Sequence, residues 1–141
     1  MQLTTALTIL AAAGTSLAAP APVAAQSMMA ADTTWTMESF QRTCNADDTT
    51  CHITFAVNTN DGSDSTPCAY DVNGSPASDA SYNSLVCGAY TVGSTHDASG
   101  FTVLSVHTDS LIIYPGYTDA ELDGGNVVQP DKSYTPSAFP G

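Results

Sequence analysis

Residues 101–115, FTVLSVHTDSLIIYP, decide the fold class. Apolar side chains recur at every second position on either side of the polar pair Thr108-Asp109, which is the pattern of two strands joined by a tight turn and not of a helix. With Thr108 and Asp109 as the turn, Val106 falls opposite Leu111 and Leu104 opposite Ile113, so four aliphatic side chains share one face. Phe101, Val103, Ile112 and Tyr114 lie on the other, with Ser105 and His107 among them. A strand pair apolar on both faces belongs inside a sheet, covered from two sides. Leu104, Val106, Leu111 and Ile113 are therefore expected to be buried scaffold.

The flanking chain has the same character. Residues 34–42 (TWTMESFQR) predict a first strand with Trp35 and Met37 on one side, and residues 52–58 (HITFAVN) a second with Ile53, Phe55 and Val57 inward. A short third strand is expected over 68–72 and a fourth over 86–92 (VCGAYTV), separated by turn-rich segments at 59–67 and 93–100. Residues 75–85 are the one place where a helical turn is expected, with Pro76 at a first helical position. Beyond the hairpin the chain reads as an acidic return over 116–125, a short strand over 126–129 and a strap. The expected fold is all-β: a small antiparallel barrel or sandwich with at most one short helical turn and two disulfides.

The N-terminus, LTTALTILAAAGTSL over residues 3–17, is apolar, alanine-rich and short, and Ser16 and Ala18 satisfy the small-x-small rule for cleavage after Ala18. Residues 1–18 are thus expected to be a signal peptide, 19–33 a flexible tail, 34–136 a single domain and 137–141 a loose C-terminus. About 120 residues remain after cleavage, enough to bury roughly two-thirds of the unfolded surface. The expected destination is extracellular.

Fourteen acids stand against Arg42 and Lys132, for a net charge of -12, and only Glu38 and Glu121 among the acids are glutamates. Aspartate forms turns and disfavours helices, so these charges belong to loops. So large a negative field repels phosphate backbones and anionic lipid, which argues against nucleic acid and against membrane insertion. A cationic partner stays open.

Cys44, Cys51, Cys68 and Cys87 all follow the leader, and four cysteines in a secreted chain imply two disulfides with three connectivities open. Short loops close first, which favours Cys44 with Cys51 and Cys68 with Cys87, at about 2.5 and about 3.3 kcal/mol of loop-closure stabilisation. Zinc is disfavoured by the absence of C-x-x-C and by His52 adjoining Cys51.

The chemistry-bearing residues are few. Asp119, Glu121, Asp123 and Gly124 have the alternate-position spacing of a calcium loop, but the twelfth position is Pro130, so a solvated acidic loop is expected there. His52, His96 and His107, the last with Asp109 nearby, are available as bases, yet there is no G-x-S-x-G elbow and no catalytic role is assigned. Tyr114, Tyr117 and Tyr134 are candidates for an aromatic platform. Asn73-Gly74-Ser75 is a glycosylation sequon, with Pro76 following. No cofactor or metal is expected.

Taken together, WTMESFQRTCNADDTTCHITF, TPCAYDV with NGSPAS, CGAYTV, FTVLSV and IIYPGYTDAELDGGNVVQPDKSYTP resemble the secreted fungal elicitors of the rice blast type that induce the hypersensitive response. The resemblance covers roughly residues 35–136. It implies an apoplastic protein perceived by plant cells through a cell-surface or apoplastic partner protein, without catalysis, and a compact β fold shared loosely with an extracellular fungal allergen family. It transfers no active residue. The candidate recognition surface is Asp61 and Asp64 in one loop and Tyr117, Asp119, Glu121 and Asp123 in another, and the rival reading is an extracellular ligand- or carbohydrate-binding module.

Overall fold

The structure, a computed structural model, describes residues 33–140. The expected signal peptide and all but the last residue of the expected tail lie outside the described residues. Ten strands follow one another: β1 Trp35–Cys44, β2 Thr50–Asn58, β3 Thr66–Asn73, β4 Tyr82–Cys87, β5 Tyr90–Asp97, β6 Phe101–His107, β7 Leu111–Ile113, β8 Gly116–Thr118, β9 Lys132–Tyr134 and β10 Ser137–Ala138. They form two antiparallel sheets, one ordered β3-β2-β1-β9 and the other β10-β7-β6-β5-β4 with β8 also on β6. The sheets pack as a sandwich and do not close into a barrel.

In β1 the alternation that buries Trp35 and Met37 would turn Ser39 inward and Phe40 outward. A bulge prevents this: the register with β2 shifts between Glu38 and Gln41, and Ser39 takes a φ of 53°. The extra residue brings Phe40 back to the core side, where it is 3% exposed. The Ser39 N–H, freed from the ladder, donates to Asp131 Oδ1 at 2.8 Å.

The central hairpin keeps its faces but not its register. His107 pairs with Ile112 and Val106 with Ile113, so the loop holds four residues and not two. Thr108 is the cause: its hydroxyl accepts the N–H groups of Ser110 and Leu111 at 3.3 and 3.2 Å, drawing Leu111 into the turn. A two-residue slip preserves side-chain parity. Leu104, Val106 and Ile113 are accordingly buried, whereas Leu111 is 37% exposed and is not part of the scaffold. The hairpin is flanked by strands on both edges, but its outer face is only partly covered: Ile112 there is 5% exposed, whereas Phe101 and Tyr114 are 37% and 60% exposed.

Other expectations change in the same sheet. Residues 86–92 are not one strand; Gly88, at a φ of 60°, turns the chain between β4 and β5. Strand β5 then continues to Asp97 through the segment expected as a loop. Residues 126–129 form no strand, although the Val128 N–H reaches Phe40 O at 2.8 Å. The C-terminal segment expected to be loose supplies β10, and Phe139 packs on His107 with ring centroids 4.1 Å apart.

The core fills the space between the sheets. Phe40 stacks on Phe55 within one sheet and on Tyr117 of the other, and Trp35 meets Tyr90 edge-on across the gap at 5.4 Å. Cys68 of β3 is bonded to Cys87 of β4, tying an edge of one sheet to an edge of the other, while Cys44 and Cys51 are cross-strand partners in the β1–β2 hairpin.

Candidate functional site

The acidic return after β8 is folded by its own sequence. Thr118 caps a single-turn helix, α1, Asp119–Leu122: its hydroxyl accepts the Glu121 N–H at 3.1 Å, and Glu121 Oε1 accepts the Thr118 N–H at 2.9 Å. This is a capping box, and the T-x-x-E spacing that encodes it is legible in the sequence. Leu122 plugs into the core at 2% exposure. A 3-10 turn over Asp123–Gly125 follows, with Gly124 at a φ of 87° and Gly125 at 73°, both left-handed conformations that glycine adopts without strain. Gln41 Nε2 donates to Gly125 O at 2.6 Å and holds this turn against β1.

The three alternating carboxylates do not converge. Asp119 faces His96 Nε2 at 3.2 and 3.3 Å, where Asp79 also approaches at 3.4 Å. Glu121 accepts from Lys132 Nζ at 2.9 Å, and hydrogen bonds from the Thr118 N–H and Lys132 hold its carboxyl below the usual value. Asp123 lies 3.5 Å from Arg42 Nη2. Each acid answers a different base, so no calcium cage forms. Among the described residues the one group of possible metal ligands within reach of each other is Cys44, Asp48 and Cys51, and its two sulfurs are joined as a disulfide.

Arg42, the only arginine, crosses the floor of a cleft of about 360 Å³ between the β1–β2 turn, the 3-10 turn Ala77–Asp79 and the end of α1. Its side chain is 10% exposed; Nη1 donates to Ser78 O at 3.0 Å, and Nε is buried without a partner. Asp48 lines the same cleft but is engaged by Ser78, accepting its N–H at 2.9 Å and its hydroxyl at 2.5 Å, which lowers the carboxyl pKa. Sequence reasoning passed over Arg42, Asp48 and Ser78; the signal was a lone arginine in a chain of such negative charge.

The remaining predicted residues separate. Asp61 accepts from the Ser63 N–H at 3.0 Å and from the hydroxyls of Ser63 and Thr59, which hold its carboxyl at about 2, and Asp64 is exposed beside it. Tyr117 is 2% exposed and stacked on Phe40 at 4.2 Å, so it is core and not recognition surface: with Gly116 and Thr118 facing outward, strand alternation sends it in. Tyr114 points to solvent and Tyr134 Oη accepts from the Gly116 N–H at 3.2 Å, so the three tyrosines make no common platform. Asn73 ends β3, exposed, with Oδ1 accepting from the Thr50 hydroxyl at 2.9 Å. His52 bonds Asp71 at 2.6 Å and His107 the Thr108 carbonyl at 2.9 Å; among the described residues no serine hydroxyl is bonded to a histidine ring.

Residues 36–139 match the family model described as Effector TSP1. The chain is also 41% identical to "Effector TSP1" of Hypocrea virens (strain Gv29-8 / FGSC 10586) over 149 residues, covering 99% of this chain and 100% of that protein. The chain belongs to the Effector TSP1 family. It is thus a relative of fungal effectors, but the match is to Effector TSP1 and not to the rice blast elicitor type, and nothing in it relates the chain to the allergen family. The Effector TSP1 match runs from the second residue of β1 to just past β10, and so takes in both disulfides, the acidic return and the Arg42 cleft.

Proposed function

We propose that this is a secreted fungal effector that plant cells perceive in the apoplast, answering with defence signalling and local cell death, and that it acts by being bound, without catalysis. The family match over the whole described domain carries the reading. The physical features are in keeping with it: two disulfides suit an oxidising fluid, and the histidines are spent on carboxylates and a carbonyl with no nucleophile attached. The partner is a plant cell-surface or apoplastic protein with a cationic patch, since a charge of -12 favours encounter with the opposite sign. Asp64 and the loop around Asp61 form one exposed acidic edge; Asp119 and Asp123 form the other. Asn73, exposed at the end of β3, is the proposed position of any N-glycan.

Infiltrating purified protein cleaved after Ala18 into leaves tests this reading. Local necrosis and an oxidative burst at micromolar dose are expected. An absence of any plant response, together with retention on immobilised glycans, would replace it with a carbohydrate-binding module.

A further inference from the structure

We propose that Tyr70 and Tyr82 form an oxidative cross-linking site, at which a one-electron oxidant joins the two rings by a carbon-carbon bond and fastens one sheet to the other. Tyr70 stands in β3 and Tyr82 opens β4, edge strands of different sheets. Their hydroxyl oxygens are 2.7 Å apart, their ring centroids 5.4 Å apart and their ring planes 69° apart. The short centroid distance shows that the rings converge and do not meet end to end through their hydroxyls. Edge-to-face packing accounts for the ring contact alone. The paired oxygens add something more, because they draw together the ring carbons beside them. Among the described residues no other two tyrosine rings are paired: Tyr90 meets Trp35, Tyr117 stacks on Phe40, and Tyr114 points to solvent.

A phenol that loses one electron and its hydroxyl proton becomes a phenoxyl radical. That radical reacts at the ring carbons beside the oxygen, since the carbon opposite carries the side chain's Cβ. Two such radicals combine through these carbons, and each ring then returns the hydrogen displaced there to its own oxygen as a proton, which restores both hydroxyls. Hydrogen peroxide turned over by a haem peroxidase accepts the two electrons and two protons and leaves as two waters, so the chain loses two hydrogens and gains no atom. In the product the hydroxyls flank the new bond on twisted rings, an arrangement close to the one the folded chain already holds. Partners held in this way couple within the chain faster than between chains. Both side chains are half-buried and so remain partly open to a small oxidant. The bond would span 12 residues inside the loop closed by Cys68–Cys87, whose separation is 19, and it would repeat that constraint in a form that reductants leave intact. The coupling requires only the oxidant, whether or not plant cells perceive the protein.

The test treats dilute native protein, disulfides intact, with haem peroxidase and hydrogen peroxide. A parallel sample receives light, a ruthenium sensitiser and persulfate, a smaller oxidant that takes up the two electrons as two sulfates. A monomer with dityrosine fluorescence and a mass two hydrogens lower is expected. After reduction of the disulfides, cleavage at Asp71 and Asp79 puts Tyr70 and Tyr82 on different peptides, which only the new bond can join. A joined Tyr70–Tyr82 peptide under either oxidant supports the proposal. Its absence under both, with coupling confined to covalent dimers or to Tyr114, overturns it. Tyr70→Phe and Tyr82→Phe should each lose the joined peptide and Tyr114→Phe should keep it; an undiminished yield in Tyr82→Phe also overturns the assignment. The peptide map of the natural protein decides the matter even where a phenylalanine variant fails to fold. Once reduced, the cross-linked protein should unfold at a higher urea midpoint than the protein without the cross-link, and equal midpoints would show that the bond does not fasten the sheets.

Discussion

Phe40 of β1 and Tyr117 of β8 stack at 4.2 Å with their ring planes 15° apart, and this contact joins the two sheets at the level of the β1 bulge. Tyr117 Oη is buried there without a hydrogen-bond partner. Tyr117→Phe should therefore leave stability unchanged or raise it by about 1 kcal/mol, since an unmatched buried hydroxyl is removed. Tyr117→Ala should cost about 3–5 kcal/mol through the cavity it leaves. Equilibrium urea unfolding of the two variants measures both, and a large loss in the phenylalanine variant would show that the hydroxyl is bonded after all.

The hairpin register makes a paired prediction. Ile113→Ala should cost about 2–5 kcal/mol because Ile113 is 2% exposed opposite Val106. Leu111→Ser, at the exposed start of β7, should stay within about 1 kcal/mol. Reversal of that order would restore the two-residue turn.

The disulfides differ in what they constrain. Cys68–Cys87 closes a separation of 19 residues and joins two sheets, whereas Cys44–Cys51 closes 7 within one hairpin. Replacing the first pair by alanine should cost about 3 kcal/mol and the second about 2.5 kcal/mol or less. Calorimetric melting of the two double variants should place the Cys68/Cys87 variant lower.

Acid and alkali should both weaken the fold, for opposite groups. Asp48, Glu38 and Glu121 have folded pKa values below their unfolded ones, through Ser78, through Ser65 and Asn58, and through the Thr118 N–H and Lys132 respectively. The stability they confer is present above the ordinary carboxylate range and is lost as pH falls through the lowered folded values. Tyr70, Tyr82 and Tyr117 are held protonated by burial, so their share is present below about pH 10 and lost as pH rises beyond the ordinary phenol value. Melting temperature against pH, with phenolate absorbance on the alkaline side, should show a broad plateau falling at each end.

Which parts of this were legible depended on how apolar each strand is. Trp35, Met37, Ile53, Phe55, Val57, Leu104 and Val106 announce their faces by alternation, and all are buried. Strand β5 does not, because its inward positions run Tyr90, Val92, Ser94, His96, so the second half looks like a loop until β6 pairs with it. The bulge at Ser39 and the Thr108-held turn are single-residue events that leave no periodic trace. At the candidate site the acids were visible but their partners were not, since Arg42, His96 and Lys132 reach Asp123, Asp119 and Glu121 from other strands.

The proposed response of plant cells depends on their binding the folded surface of this protein. The most direct measurement is the oxidative burst of leaf tissue given equal doses of native protein and of protein reduced and alkylated at Cys44, Cys51, Cys68 and Cys87. A burst with the native protein that is lost on reduction is expected. Silence with the native protein, or an undiminished burst with the reduced chain, would contradict it.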